Sequence, residues 1–551
     1  MIEKKFPIIV ILIVINSQQW LQLEAHKCTA VEGANNFGIY SCRGVQTLSE
    51  IEEELTASWR GIVVRNGENE FLDFSAQSGE QLQKSTWAQI VELDLSQSGA
   101  LSLGDEGFRA FVALERLNIT NAQLEDLKTH YFPNAAKIRY LDASWNDFQK
   151  LNAANFRRLS QLKVANFSHN NIGLIEQGTF AELSHLEFLH LDNNALTNAS
   201  IGACSRLKEL TLCDNAIEKL SVYDFAGLPQ LRHLRLTTNS IHFIKSGAFE
   251  PLGKLTVLNL AANALQRLSA ETFRGLEKAP LQFLDLSSND LGILPVQLFA
   301  PLRKLQILNL SSNKLIALQA EIFEGLTALR KVYLHDNDID AIRPNTFANL
   351  TALESLDLSG NNIQVLNAYA FGTVALPRFQ KLTIKTNSLK HLHSLAFAAL
   401  PFMDHLSMGN NDLAILDVRS LAPLRRLRKL HLGNNSLEEI TTELLPVLND
   451  VAELLLDNNK LSFLPHMTDR EFPNLVKFSL EGNPWQCTCL DDLFVWLNKK
   501  EVDYFRPQSP FYQGERALCV VTDKEECVRE LTTVKNSGYL DFYEMTRKNY
   551  F

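Results

Sequence analysis

One pattern constrains this chain more than any other: LxxLxLxxNxL, returning at nearly fixed intervals. Its first position falls at Ile90, Leu114, Ile138, Leu162, Leu186, Leu207, Leu231, Leu255, Leu281, Leu305, Leu329, Leu353, Phe379, Met403, Leu427, Val451 and Leu475, which makes seventeen turns. The step is 24 residues, except for one of 21 (186 to 207) and two of 26 (255 to 281 and 353 to 379). Self-similarity at such a period signals a stacked array, each unit burying its apolar face against the next. A length of 551 residues would otherwise suggest several domains; the repeat assigns about 400 of them to one continuous solenoid.

Each part of the pattern has a physical task. In LxL the residues alternate, so the leucines point to one side and the residues between them to the other. The Asn stands where the chain leaves the strand. There its amide can satisfy backbone groups of its own and adjoining turns that would otherwise be buried unpaired. Fifteen turns hold it, from Asn146 to Asn483, while Ser98 and Ala122 replace it in the first two. A second apolar ladder follows on the outer side, with Phe at 108, 132, 156, 180, 225, 249, 273, 299, 323, 347, 371 and 397. This is the leucine-rich-repeat signature. It implies an α/β solenoid, a horseshoe with a concave parallel β-sheet of about 17 strands, whose inner arc measures about 80 Å at ~4.8 Å per strand.

The ends speak of compartment. Residues 1–25 open with two lysines ahead of an apolar run from Phe6 to Ile15, which reads as a secretory signal peptide. Such a run is too short to span a bilayer comfortably. No second apolar run follows, and the tail at 531–551 offers neither a membrane span nor a lipid-anchor signal, so a soluble, secreted extracellular protein is expected. Between these ends we expect an N-terminal cap at 26–89, repeats at 90–483 and a cysteine-rich C-terminal cap at 484–530. Cys28 and Cys42 bracket a short segment before the repeats; Cys487, Cys489, Cys519 and Cys527 follow the last turn. Extracellular solenoids staple the covers of their terminal leucines with disulfides. Zinc competes as a reading of the last four, but C-x-C is tighter than the usual C-x2–4-C pair.

The stretch NPWQCTC, followed by WL, resembles the C-terminal cap of extracellular leucine-rich-repeat proteins such as Toll-type receptor ectodomains, Slit and chaoptin. That resemblance implies the pairs Cys487–Cys519 and Cys489–Cys527. Cys28 and Cys42 look like a reduced form of the family's N-terminal cap. The overall plan is also similar to the secreted leucine-rich immune proteins of mosquitoes, although no heptad segment follows the repeats here. Three bridges would use six of the eight cysteines. Of the other two, Cys204 takes the place of a buried leucine, whereas Cys213 holds the seventh position and faces the concave surface. Cys213 is expected to be unpaired or to join an intermolecular bridge, which would give homo- or hetero-oligomers.

Neither G-x-S-x-G, H-E-x-x-H, a P-loop nor a kinase motif set occurs, so no enzyme and no cofactor are expected. The stretch His335 to Ala341, HDNDIDA, has the look of a calcium loop but lacks its glycine and closing Glu, and no metal site is expected. A net charge of −10 argues against general attraction to nucleic acid. The third, fifth and seventh positions alternate with the buried leucines and build the concave face. In the C-terminal half they include Lys331, Tyr333, His335, Lys381, Lys385, His405, Lys429 and His431, a basic stripe suited to an acidic protein or glycan. Its histidines would strengthen binding as they protonate below about pH 6.5. Sequons stand at Asn118, Asn166, Asn198, Asn309, Asn349 and Asn434; sugar at 118, 166 or 309 would stand on the concave face. The function expected is a secreted binding protein for another protein or a microbial surface molecule, in insect humoral immunity. The rival is a matrix or cell-adhesion protein of the same architecture.

Overall fold

The structure is a computed structural model that describes residues 27–31, 38–66, 71–73, 85–134, 137–465, 467–468, 470–504, 512–513 and 516–528. The expected signal peptide and the 531–551 tail lie outside the described residues. The described chain packs as two compact units. One runs up to Ala195 and includes Ile201–Arg206; the other comprises Leu196–Ser200 and the residues from Leu207 onward. The boundary falls in the one 21-residue turn.

All seventeen repeats place a strand on the third to fifth positions of the pattern. The second unit stacks twelve of them in parallel, from Glu209–Thr211 to Lys477–Ser479. Their fourth positions meet without slippage, as in Leu284↔Leu308↔Val332↔Leu356. Both 26-residue turns keep this register (Leu258↔Leu284 and Leu356↔Leu382), so their extra residues lie outside the strands. A one-residue slip would turn every leucine to solvent, and the inward leucines forbid it.

The first unit carries strands 92–97, 116–118, 140–142, 164–166 and 188–190, but its sheet begins earlier than the repeat pattern does. Strand β1 (Cys28–Ala30) pairs antiparallel with β2 (Gly38–Cys42), β2 pairs in parallel with β3 (Trp59–Arg65), and β3 pairs in parallel with β4 (Glu92–Gln97). The parallel ladder therefore extends into the segment assigned above to the N-terminal cap. Alternation explains it: Ile62 and Val64 are fully buried, and Ile62 stands opposite Leu93.

The inward leucines are sealed; in the sixth turn Leu207, Leu210 and Leu212 have no exposed surface. The Asn ladder performs the task read from the sequence. Asn313 Nδ2 donates to the carbonyls of Leu286 (2.9 Å), Leu310 (3.1 Å) and Ser311 (3.1 Å), and its Oδ1 accepts from Leu291 N at 3.1 Å. On the outer side the phenylalanines form a spine. Phe225, Phe249, Phe273 and Phe299 stack at successive centroid distances of 6.1 Å, and Phe323, Phe347, Phe371 and Phe397 at 5.6–6.1 Å. Each buried ring contributes roughly 1.5–3 kcal/mol, so the spine supports each turn from the side opposite the leucines.

Both ends are stapled. Cys28 is bonded to Cys42, Cys487 to Cys519 and Cys489 to Cys527. The cap helix Cys487–Lys499 buries Leu490, Leu493, Trp496 and Leu497. The last strand is not left open, because Phe478 N donates to Asp503 O at 3.0 Å. A covered edge cannot recruit a further strand.

Candidate protein-binding face

Strand alternation fixes what this face presents. In the second unit the third positions pair in the row Lys331, Ser355, Lys381, His405, Lys429, Glu453, Lys477. The fifth positions form the row Tyr333, Asp357, Thr383, Ser407, His431, Leu455, Ser479. All eight stripe residues thus share one sheet face, with His335 and Lys385 at seventh positions of the same turns. Carboxylates share it too. Asp357, Glu453, Asp457 and Glu481 stand among the lysines 331, 381, 385, 429 and 477, so the stripe is less basic than its lysines alone suggest.

Glu453, absent from the expected set, organises one end. Its Oε2 lies 3.2 Å from Lys429 Nζ, and its Oε1 lies 3.0 Å from Lys477 Nζ and 3.3 Å from His431 Nε2. Burial would raise its pKa, but the hydrogen bonds from Lys477 and Lys429 and the nearby positive charge outweigh that and hold it at about 2. The position rule that selected Lys429 also selects Glu453, so the signal was present.

The histidines behave otherwise than expected. The rings of His405 and His431 meet edge to face at 5.0 Å. Burial, then the charges of His431, Lys381 and Lys429, push His405 down to about 4. Burial also lowers His431, and Lys385 adds to this against the opposing pull of Glu453. The expectation that protonation near pH 6.5 strengthens binding is therefore corrected for this pair. Burial and the neighbouring lysines disfavour the charged form of both half-buried imidazoles, and the lysines carry the positive charge. Ser407 is fully buried beside them, and its Oγ has no hydrogen-bond partner among the described residues.

Lys381 and Lys385 are exposed and have no ion pair among the described residues, and His405 feels the charge of Lys381. Tyr333 and His335 touch edge to face at 6.5 Å, with His335 Nδ1 2.8 Å from Asp336 Oδ2. The HDNDIDA stretch is an ordinary turn: Asn337 Nδ2 donates to Leu310 O at 3.0 Å and its Oδ1 accepts from Leu315 N at 3.0 Å. No cluster of three or more metal-ligating side chains occurs among the described residues.

Cys204 is buried with its sulfur 4.0 Å from Leu186 O, while Cys213 is half-buried at its seventh position. Asn198, Asn349 and Asn434 are exposed, whereas Asn118, Asn166 and Asn309 are half-buried on the sheet face. Asn309 is the register partner of Tyr333, so sugar there would cover that end of the stripe. The sector least encumbered runs from Lys381 to Lys429.

A profile described as leucine rich repeat matches residues 146–196 and, in overlapping segments, 198–437, which is more than half of the chain. Comparison with curated protein sequences gives no significant match. Among solved structures, the Drosophila Toll–Spätzle complex in its glycosylated form superposes with a TM-score of 0.68 at 18% identity, over 93% of this chain and 73% of that one. The LRIM1/APL1C complex gives 0.52 at 22% identity, over 75% and 68%. A leucine-rich-repeat protein of Leptospira interrogans gives 0.53 at 24%, over 69% and 98%. At such identities the likeness is one of fold. No helix among the described residues is long and apolar enough to cross a membrane.

Proposed function

Because this chain belongs to the leucine-rich-repeat family, we propose that it is a secreted binding protein whose sheet face recognises the acidic surface of a partner in insect humoral immunity. The partner is a protein or a carboxylate-bearing microbial surface molecule. One observation carries the reading: Lys381, Lys385 and Lys429 surround two half-buried imidazoles, whose charged forms burial disfavours, on a regular, solvent-facing sheet. Such an array offers positive charge beside flat, weakly hydrated rings, a combination that suits acidic patches with some apolar character. Two structural neighbours support a protein partner, since Toll is seen with Spätzle and LRIM1 with APL1C. The test is affinity capture from native extracellular fluid, run in parallel with a Lys381→Glu, Lys385→Glu variant. The reading expects a partner whose yield falls at least about tenfold with the variant, because like charges across an interface repel. Equal recovery by a folded variant places recognition elsewhere.

A further inference from the structure

The eighth position of every turn from Asn121 to Gly482 has positive φ. Asn, Asp, Ser, Thr, Ala and Gly fill nearly all of these sites, as the left-handed region prefers small or locally bonding residues. Trp145 and His169 are the two exceptions, both at φ 56°, and Trp145 is the larger ring and 58% exposed. A large ring held in a disfavoured conformation and left in water is an outlier that asks for a function. It is stacked on His169, its counterpart in the following turn, at 3.9 Å and 9° between planes. Its other face therefore turns to the preceding turn, whose eighth residue is the exposed Asn121 and whose fifth is the sequon residue Asn118.

We propose that the Trp145–His169 stack is the seat of the N-glycan on Asn118, which folds along the sheet edge and lays a sugar ring on the open indole face. This rests on the sequon reading of Asn118, not on the protein-binding reading above. Asn118 is the register partner of Asp142, three residues before Trp145. At ~3.3 Å per residue and ~4.8 Å between strands, the two alpha carbons are about 11 Å apart, a reach suited to the first sugars of an N-glycan. Asn118 Oδ1 accepts from Thr120 N (3.1 Å) and Thr120 Oγ1 (2.7 Å), while its Nδ2 has no hydrogen-bond partner among the described residues. Asn166, the other sequon nearby, commits its Nδ2 to both Asp142 oxygens at 3.1 and 3.0 Å, which is why Asn118 is the better source. An apolar ring face with a polar rim is what pyranose C–H groups stack on. The covalent tether gives the sugar a high effective concentration at that ring, so weak stacking suffices.

The test uses the secreted full chain carrying 13C-labelled sugars, with glycan occupancy mapped by mass. N-acetylglucosamine proton resonances shifted upfield by the indole ring current are expected in the parent protein. They should vanish in Asn118→Gln and in Trp145→Asn and persist in Asn166→Gln. Asn is the ordinary residue of this ladder, so Trp145→Asn should fold and secrete normally. The proposal is overturned by an unoccupied Asn118, or by an occupied Asn118 with no shifted sugar signal. It is equally overturned by signals lost only in Asn166→Gln, or by shifts that appear only when free oligosaccharide is added.

Discussion

Acidification from pH 7 to 4.5 should loosen the sheet around His405, and Gln at this position should remove most of that loss. His405 protonates near 6.5 in the unfolded chain but only near 4 in the fold. Between these values the unfolded chain binds more protons, so stability falls as the pH falls through the window. The whole gap amounts to about 3.4 kcal/mol. Solvent reaches the half-buried ring and screens it, which leaves about 1–2 kcal/mol. Glu453 does not contribute there, because its depressed pKa of about 2 keeps its stabilisation intact above about pH 4.5 and loses it only below. His431 shifts in the same direction as His405, so a residual slope should remain in the His405→Gln protein. Solenoids open locally, and the appropriate assay is native-state hydrogen exchange at the amides of Leu406 and Leu430, corrected for intrinsic rates. Protection in the parent should drop about 5–30-fold more than in His405→Gln between the two pH values. An equal drop in both proteins would refute the burial argument for His405.

Other consequences follow from the interior and the cap. Asn313→Ala leaves the buried Leu291 amide unpaired and takes one of two donors from the carbonyls of Leu286, Leu310 and Ser311, so a loss of about 1–3 kcal/mol is expected, seen as poor secretion or a lower denaturation midpoint. Ser407→Ala removes a buried hydroxyl that has no partner; stability should be unchanged or higher by up to about 2 kcal/mol in denaturant titration. Cys487→Ser or Cys519→Ser opens the C-terminal staple, costs about 2–5 kcal/mol and should lower secreted yield; full secretion of both variants would argue that the cap holds without it.

Periodicity made the repeat fold legible. The LxxLxLxxNxL frame places every repeat strand on its third to fifth positions, and Asn313 and Phe249 take the roles that their spacing implies. What the frame missed lacks its marks. The strands 38–42 and 59–65 have neither the Asn nor the full leucine spacing; 59–65 is held by pairing to Glu92–Gln97, and 38–42 by pairing to 59–65. In the candidate site, position told which side chains face outward but not what they meet. The low pKa of His405 comes from its own burial and from His431, Lys381 and Lys429 on the two adjoining turns, and Glu453 ties up Lys429 from the next strand. Trp145 stood outside the frame because the LxxLxLxxNxL pattern leaves its eighth position unspecified, and only its φ and its stack with His169 single it out.

The central claim is that recognition uses the lysine-bearing sheet face between the turns at Phe379 and Val451. Lysine footprinting tests it most directly: the partner recovered by capture is bound to the purified chain, exposed amines are acetylated, and each lysine is quantified by mass. The account predicts strong protection of Lys381, Lys385 and Lys429, with Lys219 and Lys254, which lie off the sheet face, modified as in the unbound protein. Protection of Lys219 and Lys254 with Lys381 and Lys385 still reactive would contradict it.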